Sequence, residues 1–179
     1  IQDRHGRTVM QRDARPCPAC QNVAWEGQPA PVLPDLREEV IDPPHAYQMV
    51  NLLQGVVERG TGQRARAIGK PVAGKTGTTD DSRDAWFIGF TPDLVVGVFV
   101  GFDQPRSLGQ DEQGASAALP IFVDFMTAAL KDEPATPFRV PPGIRLVRVD
   151  AETGLLPGPT TDVAILEAYI PGTEPTEAS

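Results

Sequence analysis

From Gly69 to Thr79 the chain reads Gly-Lys-Pro-Val-Ala-Gly-Lys-Thr-Gly-Thr-Thr, which fits two unrelated kinds of site chemistry. Gly69 to Thr76 satisfies Gly-x-x-x-x-Gly-Lys-[Ser/Thr], the pattern of a loop that cradles phosphate with backbone N–H groups. Lys75-Thr76-Gly77 equally fits an acyl-transfer wall, a strand on which a lysine, a hydroxyl residue and a glycine face a substrate. Both patterns are short, so the neighbouring residues decide between them.

A phosphate loop needs a buried strand before it and a helix that starts at the Lys-Thr, so that unpaired N–H groups aim at the anion. Arg64-Ala-Arg-Ala-Ile68 is not a buried strand, and Gly77-Thr-Thr-Asp-Asp-Ser82 is a poor helix former with two carboxylates where phosphate would sit. Pro71 also removes one N–H from the cradle. An edge strand over Pro71 to Thr79 uses the same residues better. It turns Lys75, Gly77 and Thr79 to one side and Thr76 and Thr78 to the other. Gly77 then lets another backbone approach closely, and an extended peptide can add to the edge by main-chain hydrogen bonds. Lys75 supplies positive charge for a nucleophile or a carboxylate, and the threonine hydroxyls can donate to that carboxylate.

Elements that could hold such a strand lie on both sides of it. Ala46, Met49, Val50, Leu53, Val56 and Val57 recur at helical spacing over Pro44 to Arg59, with Asp42 as the cap and Gly60 and Gly62 as the stop. Asp84 to Thr91 and Leu94 to Phe102 read as a hairpin around Pro92-Asp93. Ala85-Trp-Phe-Ile-Gly-Phe90 and Leu94-Val-Val-Gly-Val-Phe-Val100 do not alternate, which predicts strands buried on both faces. A second helix follows over Ala115 to Leu130, on a stripe of Ala115, Ala118, Leu119, Phe122, Phe125, Met126 and Ala129. Either Pro120 sits in its first turn or the helix begins later. The fold class is therefore α+β, an antiparallel sheet with helices on both faces.

The flanks are different in kind. Of 19 prolines, seven fall between Pro16 and Pro44 and eight between Pro134 and Pro175. Ile1 to Arg12 suggests a hairpin turning at His5-Gly6, and 13–43 a Pro-rich loop. That loop carries Cys17 and Cys20, which read first as a local disulfide or thiol pair, next as cysteines without a role, and least as metal or redox groups, since half of a zinc ribbon is missing. Residues 132–179 read as a Pro-rich extension with one strand, Ile144 to Asp150, and a disordered end from Pro171.

The net charge of −8 argues against nucleic acid, which needs clustered basic residues. Arg59, Arg64, Arg66 and Lys70 form the one basic stretch, and it reads as a solvated connector. The longest apolar run, Leu94 to Phe102, is too short to span a bilayer. A chain beginning Ile1-Gln2-Asp3 reads as a piece of a longer polypeptide, with its targeting segment, if any, left out.

From Pro43 to Leu130 the chain resembles the class A penicillin-binding proteins, the bifunctional peptidoglycan synthases of bacteria. The resemblance rests on Leu53-Gln-Gly-Val-Val-Glu-Arg-Gly-Thr-Gly62, Val72-Ala-Gly-Lys-Thr-Gly-Thr-Thr79, Asp84-Ala-Trp-Phe-Ile-Gly-Phe90 with Thr91-Pro92, and Val98-Phe-Val-Gly-Phe-Asp103. Pro120-Ile-Phe122 and Phe125-Met126 continue it, and Ile1 to Arg12 is similar to the family's preceding segment. It implies that residues 1–131 are the C-terminal portion of a serine-type D,D-transpeptidase domain, from a parent that is also a glycosyltransferase anchored in the membrane on its periplasmic side.

The same resemblance implies the site. A serine attacks the D-alanyl-D-alanine end of a peptidoglycan stem peptide, and the acyl group passes to an amine of a neighbouring stem; beta-lactam antibiotics acylate that serine. Lys75 would order the nucleophile's hydrogen bonds, Thr76, Gly77 and Thr78 would hold the substrate, and the Thr78 backbone N–H would be an oxyanion-hole donor. Asp84 and Trp86 would be structural. No cofactor and no metal are implied. The family's Ser-x-x-Lys and Ser-x-Asn motifs are missing: Ser82, Ser107, Ser116 and Ser179 have neither lysine three residues on nor asparagine two on. The nucleophile is therefore expected on the remainder of the parent domain, with the isolated chain inactive. A non-enzymatic interaction module and, more remotely, a P-loop nucleotide binder are the alternatives.

Overall fold

The computed structural model describes residues 1–9, 17, 27, 33, 36 and 38–179. Two compact units, Ile1–Val40 and Ile41–Ser179, divide the chain. In the first unit Gln2 and Thr8 form an antiparallel bridge. Gly6 turns the chain with φ +79°, and Asp3 accepts from the backbone N–H groups of His5 and Arg7. The expected hairpin is thus a short one. Cys17 is disulfide-bonded, whereas Cys20 and most of the 13–43 loop lie outside the described residues.

In the second unit, helix α1 runs over Pro43–Glu58. Pro43 and Pro44 occupy its first turn, where a missing N–H costs nothing. Asp42 precedes α1 at the cap position, but its carboxylate takes the His45 ring instead of a backbone N–H. A 3-10 turn over Gln63–Ile68 ends at Gly69 in the left-handed region, φ +70°, and delivers the chain to strand β1, Ala73–Thr78. Strands β2 (Asp84–Phe90) and β3 (Val95–Gly101) complete a three-stranded antiparallel sheet of order β1-β2-β3. Thr91 closes the β2–β3 turn, its hydroxyl accepting from Leu94 N–H at 3.2 Å.

After β3, a single π-helical turn over Gly114–Ala118 leads into α2, Leu119–Ala129. Pro120 lies in the first turn of α2, so the helix does begin later than its apolar stripe. Phe122 of α2 meets Phe87 of β2 edge to face, with centroids 4.7 Å apart. Around this pair Ala85, Ala118, Leu119, Met126 and Leu130 are buried, and Val96, Val98 and Val100 pack against them. Phe125 and Ala129, expected on the buried stripe, are exposed instead, because only the Leu119, Phe122 and Met126 line reaches the sheet.

Register fixes which residues share a face. Lys75 pairs with Ile88 and Gly77 with Trp86, while Thr76 pairs with Phe87 and Thr78 with Ala85. The Ala85, Phe87 and Gly89 face lies under α2. On the opposite face Trp86, Ile88 and Phe99 remain 40 %, 50 % and 50 % exposed. The expectation that β2 and β3 are buried on both faces is therefore corrected: burial alternates along β2, since nothing among the described residues seals that side. Trp86 is stacked on Phe99, centroids 4.8 Å apart, but it is not core.

The C-terminal region departs further from expectation. Two strands form, β4 (Arg145–Asp150) and β5 (Ala164–Tyr169), paired antiparallel. The end of the chain pairs with the connection between them: Leu156 N–H donates to Glu177 O and Ser179 N–H to Leu156 O. Backbone pairing holds a tail that composition alone marks as disordered. β5 also docks on α1, where Asn51 Oδ1 accepts from Ala168 N–H and Gln48 donates to Ala168 O. Arg59 pairs with Glu167 beside them, so one cation of the basic stretch is an anchor.

Candidate functional site

β1 is an edge strand among the described residues. Thr79 N–H donates to Asp84 O at 3.1 Å, so Thr79 faces β2. Antiparallel pairing alternates inward and outward residues. By that alternation the backbone groups of Thr78 and Thr76 point off the open edge. Lys75 confirms the direction: its ammonium curls over the edge and donates to Thr76 O at 2.8 Å.

The two threonine hydroxyls lie on the α2 face, each beside a different element. Thr78 Oγ1 accepts from Gly114 N–H at 3.1 Å, at the start of the π turn. Thr76 Oγ1 lies 2.8 Å from Thr61 Oγ1, in the turn that ends α1. Gly77 between them has no side chain to block the edge, and a Cβ there would meet the Trp86 side chain at 3.3 Å. An ammonium, outward N–H groups and threonine hydroxyls thus converge on one strand edge. Such an edge can hold an extended peptide, a carboxylate and a developing oxyanion.

Neither Thr61 nor Gly114 is marked by the motif. Only their place in the fold brings them to β1. The other candidates for chemistry stay apart. His45 is held by Asp42 at the start of α1, and Ser116 caps the π turn by accepting from Gln113 N–H. Ser107 accepts from Gly109 N–H in the loop after β3, and Ser179 pairs with Thr161 beside β4. Among the described residues no cluster of histidine, cysteine and carboxylate ligands could hold a metal.

The same geometry rejects the phosphate-loop reading. After Lys75-Thr76 the chain continues as strand, with no helix N-terminus to receive phosphate.

The family model for the penicillin-binding protein transpeptidase domain matches residues 31–127. The chain belongs to this family. A second model, the C-terminal domain of penicillin-binding protein 1A, matches residues 140–179. Penicillin-binding protein 1A of Rickettsia prowazekii is 46% identical over 173 residues, which cover 94% of this chain and 21% of that protein. The protein of the same name from Pseudomonas aeruginosa is 47% identical over 137 residues, 76% of this chain and 17% of the relative. The chain thus spans about a fifth of the length of the curated relatives it matches. The 2.6 Å crystal structure of penicillin-binding protein 1A from Haemophilus influenzae superposes with a TM-score of 0.68 at 36% identity, over 78% of this chain and 22% of the other. Lys75-Thr76-Gly77 lies within β1, inside the matched residues 31–127.

Proposed function

We propose that the chain forms one wall of a peptidoglycan D,D-transpeptidase site. The single observation carrying this reading is the open edge of β1, where the Lys75 ammonium and the outward Thr76 and Thr78 backbone lie together. The stem peptide ending in D-Ala-D-Ala lies along that edge as an added strand. Thr76 and Thr78 donate their hydroxyl protons to its carboxylate. Gly77 leaves room for the peptide, and Thr78 N–H faces the scissile carbonyl oxygen. A fixed donor of that kind contributes about 3 to 4 kcal/mol at the transition state.

The attacking serine comes from the remainder of the domain, since no serine here stands in a Ser-x-x-Lys motif. Lys75 lies on the sheet face that Trp86 and Ile88 leave exposed. There its charge is available to order the nucleophile's hydrogen bonds. The acyl-enzyme then passes its acyl group to an amine of a second stem, or is trapped when a beta-lactam takes the substrate's place. We further propose that the longer polypeptide carries a glycosyltransferase and a membrane anchor, and works on the periplasmic side of the cytoplasmic membrane. No described helix is long and apolar enough to cross a membrane. Residues 1–131 would be the transpeptidase portion and 132–179 an extension appended to it.

Lys75→Ala in the longer polypeptide tests the site. The expected result is a loss of roughly a hundredfold in the rate of acylation by a fluorescent penicillin, with an unchanged circular dichroism spectrum. Acylation within about twofold of the unsubstituted protein would show that the motif has been misassigned.

A further inference from the structure

Thr61 has no place in the Lys-Thr-Gly motif, yet its hydroxyl is the partner of Thr76 Oγ1, at 2.8 Å. The turn that carries it is tightly built. Gly60 N–H donates to Val56 O and Gly55 O, and Gly62 N–H donates to Val56 O at 2.9 Å. A Cβ on Gly60 would stand 2.9 Å from Val56 Cα, and one on Gly62 would stand 3.2 Å from Val56 O. A side chain at Gly60 would have to displace the last turn of α1, and one at Gly62 would press against its backbone. The result is one exposed hydroxyl aimed at β1.

A threonine hydroxyl has one proton to give and lone pairs to receive. In the Thr61–Thr76 pair either oxygen can be the donor. A carboxylate removes that freedom, because it only accepts. Once Thr76 gives its proton to a substrate carboxylate, the contact with Thr61 survives only if Thr61 donates. The hydrogen bonds then run in one direction, from Thr61 to Thr76 to the carboxylate, and each strengthens the next.

We propose that Thr61 is a positioning residue for substrate recognition, donating to Thr76 Oγ1 so that the Thr76 proton is held toward the carboxylate of the stem peptide or beta-lactam. This rests on the role given to Thr76 above. Thr61 does not touch the reacting atoms. Its contribution belongs to carboxylate binding and not to the acylation step.

The test uses the longer polypeptide that carries the serine, with two probes: a beta-lactam bearing its free carboxylate and the methyl ester of the same compound. For Thr61→Val the concentration for half-maximal acylation by the free acid rises roughly fivefold, the scale of one lost hydrogen bond between neutral hydroxyls. The limiting acylation rate and the response to the ester stay unchanged, and Thr61→Ser restores the free-acid value. Thr61→Ala, which adds no volume at an exposed position, repeats the result should valine disturb the fold. Equal weakening toward acid and ester, or no change toward either, overturns the proposal while Thr76→Val still weakens the acid and not the ester. Loss of discrimination by neither Thr76→Val nor Thr61→Val overturns the role of Thr76 together with it.

Discussion

Gly114 is where backbone meets backbone most closely in the site. Its N–H reaches Thr78 Oγ1, and a Cβ on it would lie 2.4 Å from Trp86 O and 2.7 Å from Gly77 O. Those obstacles are carbonyl oxygens of two paired strands, which cannot turn aside as a flexible side chain can. Gly97 in β3 is the contrast, since its Cβ would meet only Ile88 Cγ1, at an ordinary 3.7 Å. Gly114→Ala should therefore destabilise the chain by about 2 kcal/mol, the scale of an overpacked core. Gly97→Ala should change stability by less than about 1 kcal/mol. Denaturant melts of the two variants compare them directly, and equal midpoints would contradict the close approach. The direction of the Thr78 hydrogen bond is compatible with the proposed function. Thr78 accepts from Gly114, which leaves its proton free for a carboxylate.

Among the elements, the β4–β5 hairpin has the strongest electrostatic signature. Asp150 is buried at the end of β4. Its carboxylate accepts from the backbone N–H of Glu152, from the Thr161 hydroxyl and from the backbone N–H of Thr153. In that order these donors hold its pKa at about 2, down from the usual 3.8. A carboxyl that is more acidic folded than unfolded adds stability above its unfolded pKa, and loses it as pH falls through the folded value. Stability should thus fall between about pH 4 and pH 2. Asp150→Asn should flatten that slope, because an amide does not titrate. Denaturant midpoints across this pH range read the effect, and an unaltered slope in the variant would refute it.

Much of this element plan was legible in the residues. The apolar spacing from Ala46 to Val57 places α1 within a residue of its observed ends, and Pro92-Asp93 marks the β2–β3 turn. The choice of strand over phosphate loop needed only Pro71 and the poor helix formers after Thr76. Other features were hidden for physical reasons. Trp86, Ile88 and Phe99 are as apolar as the residues beneath α2, so their sequence does not reveal that one side is half-exposed. β5 is short and set among Pro and Gly, and its pairing with β4 is a tertiary fact. Thr61 lies 15 residues from Thr76, and an isolated Gly-Thr-Gly turn carries no sign of its partner.

At the scale of the whole molecule, two observations meet. The chain spans 21% of its Rickettsia prowazekii relative, and the β2–β3 face beside Lys75 exposes Trp86, Ile88 and Phe99 together. On the proposed reading, a face of that composition beside Lys75 is suited to be covered by the part of the domain that brings the serine. β5 extends the arrangement in the other direction, because it anchors the helix whose final turn presents Thr61. The central claim is that the acyl-transfer wall is in this chain and its nucleophile is not. Fluorescent penicillin applied in parallel to this isolated chain and to the longer polypeptide, followed by denaturing electrophoresis, tests it most directly. Covalent label on the longer polypeptide alone is the predicted result; label on the isolated chain, or none on the longer one, would contradict it.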